Sequence, residues 1–297
     1  MYRSRSRLRL GMPHTQAGGL SEVALLAHVG DQRWIDFGAA TGVPASAHRD
    51  ADGHPVYASF YFVELSGFPA DGLGVYGPDD ELELVNSLER FGRSMLDGWH
   101  SLHPAGTLPA ELPATAPPAP RVRLSNVLVR EGRGTDDLRI TVPANARIDD
   151  VPASSTEPDS YQRVREARRV GRFEDAGDEA ATPLWEGART VPYRINPDRD
   201  VNGVGLVYFA NYVAFMDYAE RQALQESGAY APEALDARRT RRRRIGFYGN
   251  ALRHDVLLVD VEALAAPGHR LLLHHRIRRQ RDDRLIAVAS AEKVLRA

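Results

Sequence analysis

The sequence predicts an α+β fold in which two long helices are each wrapped by an antiparallel β-sheet. The first observation is a repeated order of elements: a short strand, a glycine-led helix and several antiparallel strands occur once in each half of the chain. The second is that superposing Gly19-Leu20 on Gly205-Leu206 aligns the elements of the two halves, although few residues are identical. Because a sheet with one apolar face must bury it, the helix of the same half is expected to cover that face.

The chain divides into two halves joined by a charged connection. Residues 1–135 and 183–297 are predicted to form the halves, and residues 136–182 a linker with a short exposed helix at Tyr161–Val170. In the first half we predict a helix and then strands at Leu20–Trp34, His54–Leu65, Leu82–His103 and Arg121–Arg130. In the second half we predict a strand, a helix and two strand regions at Thr190–Ile195, Gly205–Ser227, Ile245–Leu264 and His269–Arg296. Prolines between residues 102 and 120 predict a loop.

The composition excludes several classes of function. Hydrophobic residues make up 43%, charged residues 26%, and the formal net charge is −2, so nothing draws the whole molecule to nucleic acid or to a membrane. No apolar run approaches the roughly 18–20 residues that span a bilayer. The chain has no cysteine and begins without a signal-peptide pattern, which favours a cytoplasmic protein. Neither a metal-binding motif nor a nucleotide-binding loop occurs, so we expect no metal and no cofactor.

The strongest local pattern is Asp198–Leu224, a turn followed by an amphipathic helix. Asn202-Gly203 favours a turn with positive φ, and Gly205 permits a close approach of the backbone. Free N–H groups at the head of such a helix suit a thioester carbonyl oxygen or an enolate. The segment resembles the active-site segment of hot-dog acyl-CoA thioesterases, in which an aspartate precedes a Gly-x-Val-x-x-x-Asn-Tyr helix start. The matching residues are Gly205, Val207, Asn211 and Tyr212.

One departure from that pattern bears on the chemistry. The family's catalytic aspartate falls on Asn202, and an amide cannot act as general base or nucleophile. Asn202 is then either a turn former or a hydrogen-bond donor to the substrate, with Gly203 and Asn211 beside it. Asp198 or Asp200 is the candidate to replace the missing carboxylate.

The whole chain resembles the leinamycin-type bifunctional acyltransferase/decarboxylases, double hot-dog enzymes of polyketide assembly lines. The likeness rests on the length of the halves, a Gly-Asp-x-x-Trp motif (Gly30, Asp31, Trp34), a Tyr-x-x-Phe-Tyr strand and the second-half stretch GVGLVYFANY. Those enzymes take methylmalonyl-CoA, form an acyl ester on a tyrosine, decarboxylate it and deliver propionyl to an acyl carrier protein. The resemblance implies a double hot-dog fold, coenzyme A thioesters as substrates and a carrier protein as partner. We expect a monomer or homodimer.

The acyl acceptor implied by the resemblance is a tyrosine of the strand His54–Leu65. Alternation places Val56, Ala58, Phe60 and Phe62 on one face, against the first helix. Tyr57, Ser59, Tyr61 and Val63 then share the other face, toward a cleft between the halves. Tyr57 is our candidate acceptor and Tyr61 its substitute, although a tyrosine in a strand is also a common packing residue.

Three further candidates have two interpretations each. Arg241 and Arg242, in the run Arg238–Arg244, lie either in a solvated loop or against coenzyme A phosphates or an acidic carrier protein. His14 either forms a turn before the first helix or shapes a second, pseudo-equivalent site.

Two other functions stay open: an acyl-CoA or acyl-carrier-protein thioesterase, and a non-catalytic module that binds carrier proteins.

Overall fold

The computed structural model describes residues 1–109, 111, 118–132, 137–174 and 180–295. Its α-helices are α1 (Glu22–Thr41), α2 (Asp159–Val170), α3 (Pro197–Asp200), α4 (Asn211–Ser227) and α5 (Pro232–Asp236). Its strands are β1 (Tyr2–Arg9), β2 (Thr15–Gln16), β3 (Gly19–Leu20), β4 (Tyr57–Ser66), β5 (Glu81–Phe91), β6 (Met95–Pro104), β7 (Arg121–Glu131), β8 (Leu138–Ile140), β9 (Thr182–Pro183), β10 (Arg189–Arg194), β11 (Arg239–Phe247), β12 (Val256–Ala266), β13 (Arg270–Arg279) and β14 (Arg284–Val294). The proline-rich loop predicted from the sequence lies partly outside the described residues, at residues 110 and 112–117.

One antiparallel sheet runs through both halves of the chain. Its strand order is β1-β5-β6-β7-β4-β11-β14-β13-β12-β10, with β8 paired to β7 and β9 to β12. The halves join where β4 pairs with β11, with Val63 opposite Ile245. Leu26 and Val29 of α1 and Phe215 of α4 belong to one buried cluster with the sheet. Two long helices on one curving sheet confirm the predicted α+β architecture.

Both long helices differ from their predicted bounds. Helix α1 begins after Ser21, whose Oγ accepts from the Ala24 N–H at 3.4 Å, and it ends at Gly42, which has φ +75°. It therefore continues through Gly30 and past Trp34. Helix α4 begins six residues after Gly205, because the preceding chain closes into a turn of its own. Among the described residues, no helix combines the length and the apolar character needed to traverse a bilayer.

The arginine run forms strand β11 and not a solvated loop. Arg239 is 8% and Arg243 0% exposed, because β11 lies between β4 and β14 at the centre of the sheet. Strand pairing satisfies the backbone of this segment, so its high charge does not prevent it from being central. The interpretation of this run as a solvated loop was wrong, because a high density of charge does not exclude a central position in the sheet.

Strand β4 does not keep the predicted alternation. The register with β7 shifts between Phe60 and Phe62, which is a β-bulge at Tyr61. Phe62 consequently faces helix α2, where it packs with Val164, and Val63 takes the place facing the long helices. The helix predicted within the linker is thus α2, and one face of it is buried against the sheet.

A buried cluster of charged side chains connects the halves. Arg243 of β11 contacts Glu22 of α1 at 2.6 Å (Nε to Oε1) and Asp217 of α4 at 3.0 Å (Nη2 to Oδ1). Lys293 of β14 contacts Asp217 at 2.6 Å and Glu220 at 2.5 Å. Burial disfavours the charge of Glu220, yet Lys293, the neighbouring histidine and Arg243 hold its pKa well below the ordinary value. Both halves supply members, so the cluster fixes how α1 and α4 meet.

We predict that Arg243→Met lowers the free energy of unfolding by about 3–5 kcal/mol, because it leaves the buried Glu22 carboxylate without its cation. Urea unfolding followed by circular dichroism measures the loss. The double variant Glu22→Gln with Arg243→Met should recover part of it. Equal stability of Arg243→Met and the wild type would show that the cluster contributes nothing.

Candidate active site

A cavity of about 270 Å³ lies between the two halves, beside the junction of β4 and β11. From the first half, α1 contributes Gly30 and Arg33, and β4 contributes Tyr57 and Ser59. The second half closes the cavity with the segment from Asn202 to Phe209 and with Phe247–Asn250. The lining is mainly apolar and contains a few polar groups, which is typical of a site for a small acyl group.

Tyr57 stands at the edge of this cavity, at the first position of β4, and is half-buried. Burial raises the pKa of its phenol, Glu131 raises it further, and Arg49 opposes both. The phenol is therefore protonated at neutral pH, and a transfer reaction requires its proton to leave as the oxygen attacks. Tyr57 and Ser59 line the same cavity as Asn202 and Gly203, an arrangement that strand alternation alone did not establish.

The segment before α4 is a closed turn organised by the side chain of Asn202. Its Oδ1 accepts from the N–H groups of Val204 (3.2 Å) and Leu206 (3.1 Å), and the Asn202 N–H donates to the Leu206 carbonyl at 2.8 Å. The Gly205 N–H donates to the Asn202 carbonyl at 3.0 Å. Because Oδ1 is engaged in the turn, Nδ2 is the side-chain donor that Asn202, a lining residue of the cavity, has left for a ligand.

Gly205 does not have the place that the sequence indicated. It is outside the cavity lining, its N–H is engaged within the turn, and its φ of +81° rather than a close contact explains why a glycine occurs there. Gly203 does line the cavity, although its φ is not positive and an added Cβ would meet no atom within 4 Å. The exposed backbone at Gly203 replaces Gly205 as the candidate donor.

The two aspartates that were candidates for the missing base do not line the cavity. Asp200 is 1% exposed and accepts from Tyr193 (3.0 Å) and from the Asn196 N–H (2.9 Å). Asn211 donates to the carbonyls of Arg199 and Asp200, at 3.2 Å and 3.3 Å. These contacts give Asp200 and Asn211 the task of holding the turn, which departs from the substrate contact expected for Asn211.

Two charged residues of α1 that the sequence reading left without a role line the cavity. Asp31 is exposed and is the carboxylate among the lining residues. Arg33 is only 2% exposed, and its Nε and Nη1 have no hydrogen-bond partner in the described part of the chain. The spacing of Gly30, Arg33 and Trp34 along one helical face is the signal that could have identified them, had the helix been extended beyond Gly30.

A second cavity, of about 790 Å³, adjoins the first. The two share Ser59, Phe60 and Asn250 among their lining residues. Tyr61 lines this second cavity and not the first, because the bulge turns it toward α2, where it stacks on Tyr161 with ring centroids 5.9 Å apart. Its cationic side chains are Arg93, Arg165, Arg168 and Arg284.

Neither Arg241 nor Arg242 lines these cavities. Both pair with Glu292, at 2.7 Å and 3.2 Å, on the neighbouring strand β14. The arginines that line the second cavity are others, two of them on α2. The sequence did not single them out, because the run Arg238–Arg244 was the conspicuous one.

His14 lies beside the pseudo-equivalent position of the first half. Its Nδ1 accepts from the Gly11 N–H at 3.0 Å, which is a turn contact. A third cavity nearby, of about 320 Å³, is lined by Gly18, Asp217 and Lys293, but not by His14. The superposition of Gly19 on Gly205 pairs Asp217 with Asp31, so this is the counterpart of the first cavity with the ion cluster built into it.

Solved structures of three proteins are similar to this chain over nearly its whole length. Over 99% of this chain and 98% of the other, the fold matches a 12:0-ACP thioesterase from Umbellularia californica with TM-score 0.61 and 11% identity. An acyl-ACP thioesterase from Bacteroides thetaiotaomicron matches over 98% and 97%, with TM-score 0.59 and 12% identity. A protein assigned as an oleoyl thioesterase from Lactobacillus plantarum matches over 99% and 95%, with TM-score 0.65 and 9% identity.

The fold is a double hot-dog. At these identities the likeness concerns the fold alone, which confirms the predicted fold class. The sequence matches no family model and no curated protein.

The approach of the two hot-dog halves at the cavity depends on a glycine in α1. A Cβ at Gly30 would lie 2.7 Å from Cε1 and 2.9 Å from Cζ of Phe209, and 3.0 Å from the Tyr208 hydroxyl. Phe209 cannot easily retreat, because its ring stacks on Phe60 with centroids 3.5 Å apart. A hydrogen at position 30 therefore lets α1 touch the segment that closes the cavity.

We predict that Gly30→Ala lowers the free energy of unfolding by about 1–3 kcal/mol, because overpacking outweighs the gain in helix propensity. Thermal unfolding measures the effect. Gly203→Ala is the matched control, since the space around its Cβ is open, and its midpoint should remain that of the wild type. An unchanged or raised midpoint for Gly30→Ala would contradict the close contact.

Proposed function

We propose that this protein is an acyltransferase/decarboxylase that works through an acyl ester on Tyr57. The substrate is a malonyl-type coenzyme A thioester such as methylmalonyl-CoA, and the product is a decarboxylated acyl group on an acyl carrier protein. The observation that carries the proposal is that Tyr57, Asn202 and Gly203 line one and the same cavity. Thioester processing is also the activity named for the structures that share this fold.

The proposed reaction uses Tyr57 as the nucleophile and the donors of Asn202 and Gly203 as the oxyanion site. The Tyr57 oxygen attacks the thioester carbon, the C–S bond breaks, and the phenolic proton leaves with the thiolate as coenzyme A thiol. Asn202 Nδ2 and the Gly203 N–H stabilise the oxyanion. The bond to the carboxylate then breaks, releasing CO2 and leaving an enolate ester that the same donors stabilise. A proton adds to the α-carbon, and a carrier-protein thiol takes the acyl group and returns the proton to Tyr57.

The second cavity suits the remainder of a coenzyme A thioester. It continues from the first through Ser59 and Asn250, so an extended pantetheine arm can pass from one to the other. Arg165 lies over the Tyr161 ring at 5.8 Å, and Arg168 lies over the Tyr248 ring at 5.5 Å. Arginine side chains held on aromatic rings present their planar forks to phosphate oxygens.

Hydrolysis is the second candidate, and one observation favours it. Asp31 is a carboxylate in the first cavity, on the helix opposite Asn202, where it could act on a water molecule or on the thioester itself. In that reaction the product is a free acid and Tyr57 forms no ester. The two functions therefore assign the essential oxygen to different side chains.

We predict that Tyr57→Phe abolishes the acyl-enzyme and lowers turnover of methylmalonyl-CoA by on the order of 10³-fold or more, because the nucleophilic oxygen is lost. Intact-protein mass spectrometry and CO2 release provide the measurements. Asp31→Asn should retain the adduct. Tyr76→Phe, a tyrosine packed on Phe68 away from both cavities, is the control. Loss of activity in Asp31→Asn, with Tyr57→Phe still active and free acid as product, would establish hydrolysis instead.

The same residue gives a pH dependence. Since burial raises the pKa of Tyr57, the phenolate fraction at neutral pH is small and grows about tenfold per pH unit below that pKa. We therefore expect the single-turnover rate of acyl-tyrosine formation to rise with pH between about 7 and 9. A rate that falls over this range would contradict attack by the phenol oxygen.

We predict that Arg165→Ala combined with Arg168→Ala raises KM for a coenzyme A thioester by about tenfold, because charge-assisted contacts to phosphate are lost. The KM for the corresponding N-acetylcysteamine thioester, which has no phosphates, should stay unchanged. Arg163→Ala is the control on the same helix, because Arg163 pairs with Glu64 and Asp159 and is outside both cavities. Equal effects on both thioesters would remove the phosphate assignment.

A further inference from the structure

The cavity contains a buried cation without a partner. Arg33 Nε and Nη1 donate no hydrogen bond in the described part of the chain, and Nη2 reaches only the Leu124 carbonyl, at 3.4 Å. No carboxylate lies within ion-pair distance of this guanidinium among the described residues, whereas Arg123, on the neighbouring strand, has Asp97 at 2.9 Å. A buried charge without a counterion costs several kcal/mol, and proteins rarely keep one without a use.

The surroundings of Arg33 are shaped to hold the guanidinium there. A Cβ at Gly98 would lie 2.9 Å from Arg33 Nη2 and 2.0 Å from the Ser87 carbonyl oxygen, so β6 passes close only because residue 98 is a glycine. Burial lowers the pKa of Arg33 to about 10, although Asp97 and Asp36 oppose the change, and the group is still a cation at neutral pH. An anion that entered the cavity would restore the solvation that burial removed.

We propose that Arg33 binds the free carboxylate of the substrate's acyl group, so that the cavity selects monothioesters of dicarboxylic acids over neutral acyl thioesters. This inference rests on the proposed use of the cavity for an acyl thioester. The unengaged N–H groups at Nε and Nη1 of this guanidinium offer charge-assisted hydrogen bonds to a carboxylate. With the thioester carbonyl at Asn202 and Gly203, an acidic group at the other end of the same short acyl chain lies in a cavity that Arg33 also lines.

The ion pair assigns Arg33 to binding rather than to bond breaking. It stabilises the carboxylate before CO2 leaves, so it lowers the energy of the bound substrate and not selectively that of the transition state. Arg33 is thus a specificity residue. Its loss should raise KM for a malonyl-type thioester and leave kcat much less affected, which a purely structural role would not produce.

The test measures affinity with analogues that resist reaction. Malonyl-aza(dethia)-coenzyme A and its neutral counterpart, butyryl-aza(dethia)-coenzyme A, replace the thioester sulfur by NH, which gives an amide that resists acyl transfer and spontaneous loss of CO2, and calorimetry gives Kd for each. We expect the wild type to prefer the malonyl analogue, and Arg33→Met to weaken its binding by about 10- to 100-fold with little change for the butyryl analogue. The affinity of Arg33→Lys for the malonyl analogue should lie between those of the wild type and Arg33→Met, because lysine keeps the charge and loses the planar guanidinium. Arg121→Met is the control, since Arg121 stacks on Trp99 outside both cavities.

Stability separates a binding role from a structural one. Because Arg33→Met removes a buried, unpaired charge, its melting temperature without ligand should equal or exceed that of the wild type. A lower melting temperature together with weaker binding of both analogues would overturn the proposal, as would a wild type that binds both analogues equally. The wild-type comparison and Arg33→Lys decide the matter even if Arg33→Met does not fold.

The outcomes also distinguish this inference from the proposed function. If the malonyl analogue is preferred but reactive thioesters give neither CO2 nor an acyl-tyrosine, the chemistry assigned to Tyr57 is wrong and the role of Arg33 stands. If turnover proceeds through Tyr57 while the analogues bind equally, the chemistry stands and Arg33 does not read the carboxylate.

Discussion

The pairing of β4 with β11 is the constraint on which the rest of the molecule depends. It turns two sheets into one, with Val63 opposite Ile245, and thereby brings α1 up against the segment that precedes α4. The buried contacts of Arg243 with Glu22 and Asp217 then determine how closely the helices meet. A cavity whose walls come from both halves exists only because this junction holds them. The proposed chemistry uses groups from both halves and needs such rigid support, since small displacements cost large factors in rate.

The two ends of this junction have different contents. At one end, Asn202, Tyr57 and Arg33 surround an open space in which one of the polar groups has no partner of its own. At the other end, the counterpart of Asp31 is Asp217, and it is already engaged by Lys293 and Arg243. Charges that are satisfied within the protein stabilise the fold, whereas unsatisfied ones are available to a ligand. Among the described residues, charges at one end are therefore paired within the protein, and the other end keeps a guanidinium with unsatisfied donors.

Much of the architecture was predictable from the sequence, and the site was predictable only in part. Periodicity and the repeated order of elements gave the two helices and the sheet, because burial of one face leaves a strong mark on a sequence. The β-bulge at Tyr61 leaves no such mark, so Phe62 and Val63 were placed on the wrong faces. The sequence pattern looks helical from Gly205 onward, but the closed turn at Asn202 delays the start of the helix to Asn211. Hydrogen bonds from the Asn202 side chain to the backbone compete with the helix there. Arg33 was missed because what marks it, a buried guanidinium with unsatisfied donors, is visible in three dimensions and not in a sequence.

The difference between the two ends has a genetic consequence. An interface between identical subunits related by a twofold axis must repeat every residue on both sides, so a substitution that improves one site alters its mate as well. Here both hot-dog units are written into a single polypeptide, and each position can change alone. Asp217 therefore contacts Lys293 and Arg243, while its counterpart Asp31 lines a cavity. Linking the two units in one chain removes the constraint that both sites carry the same residues.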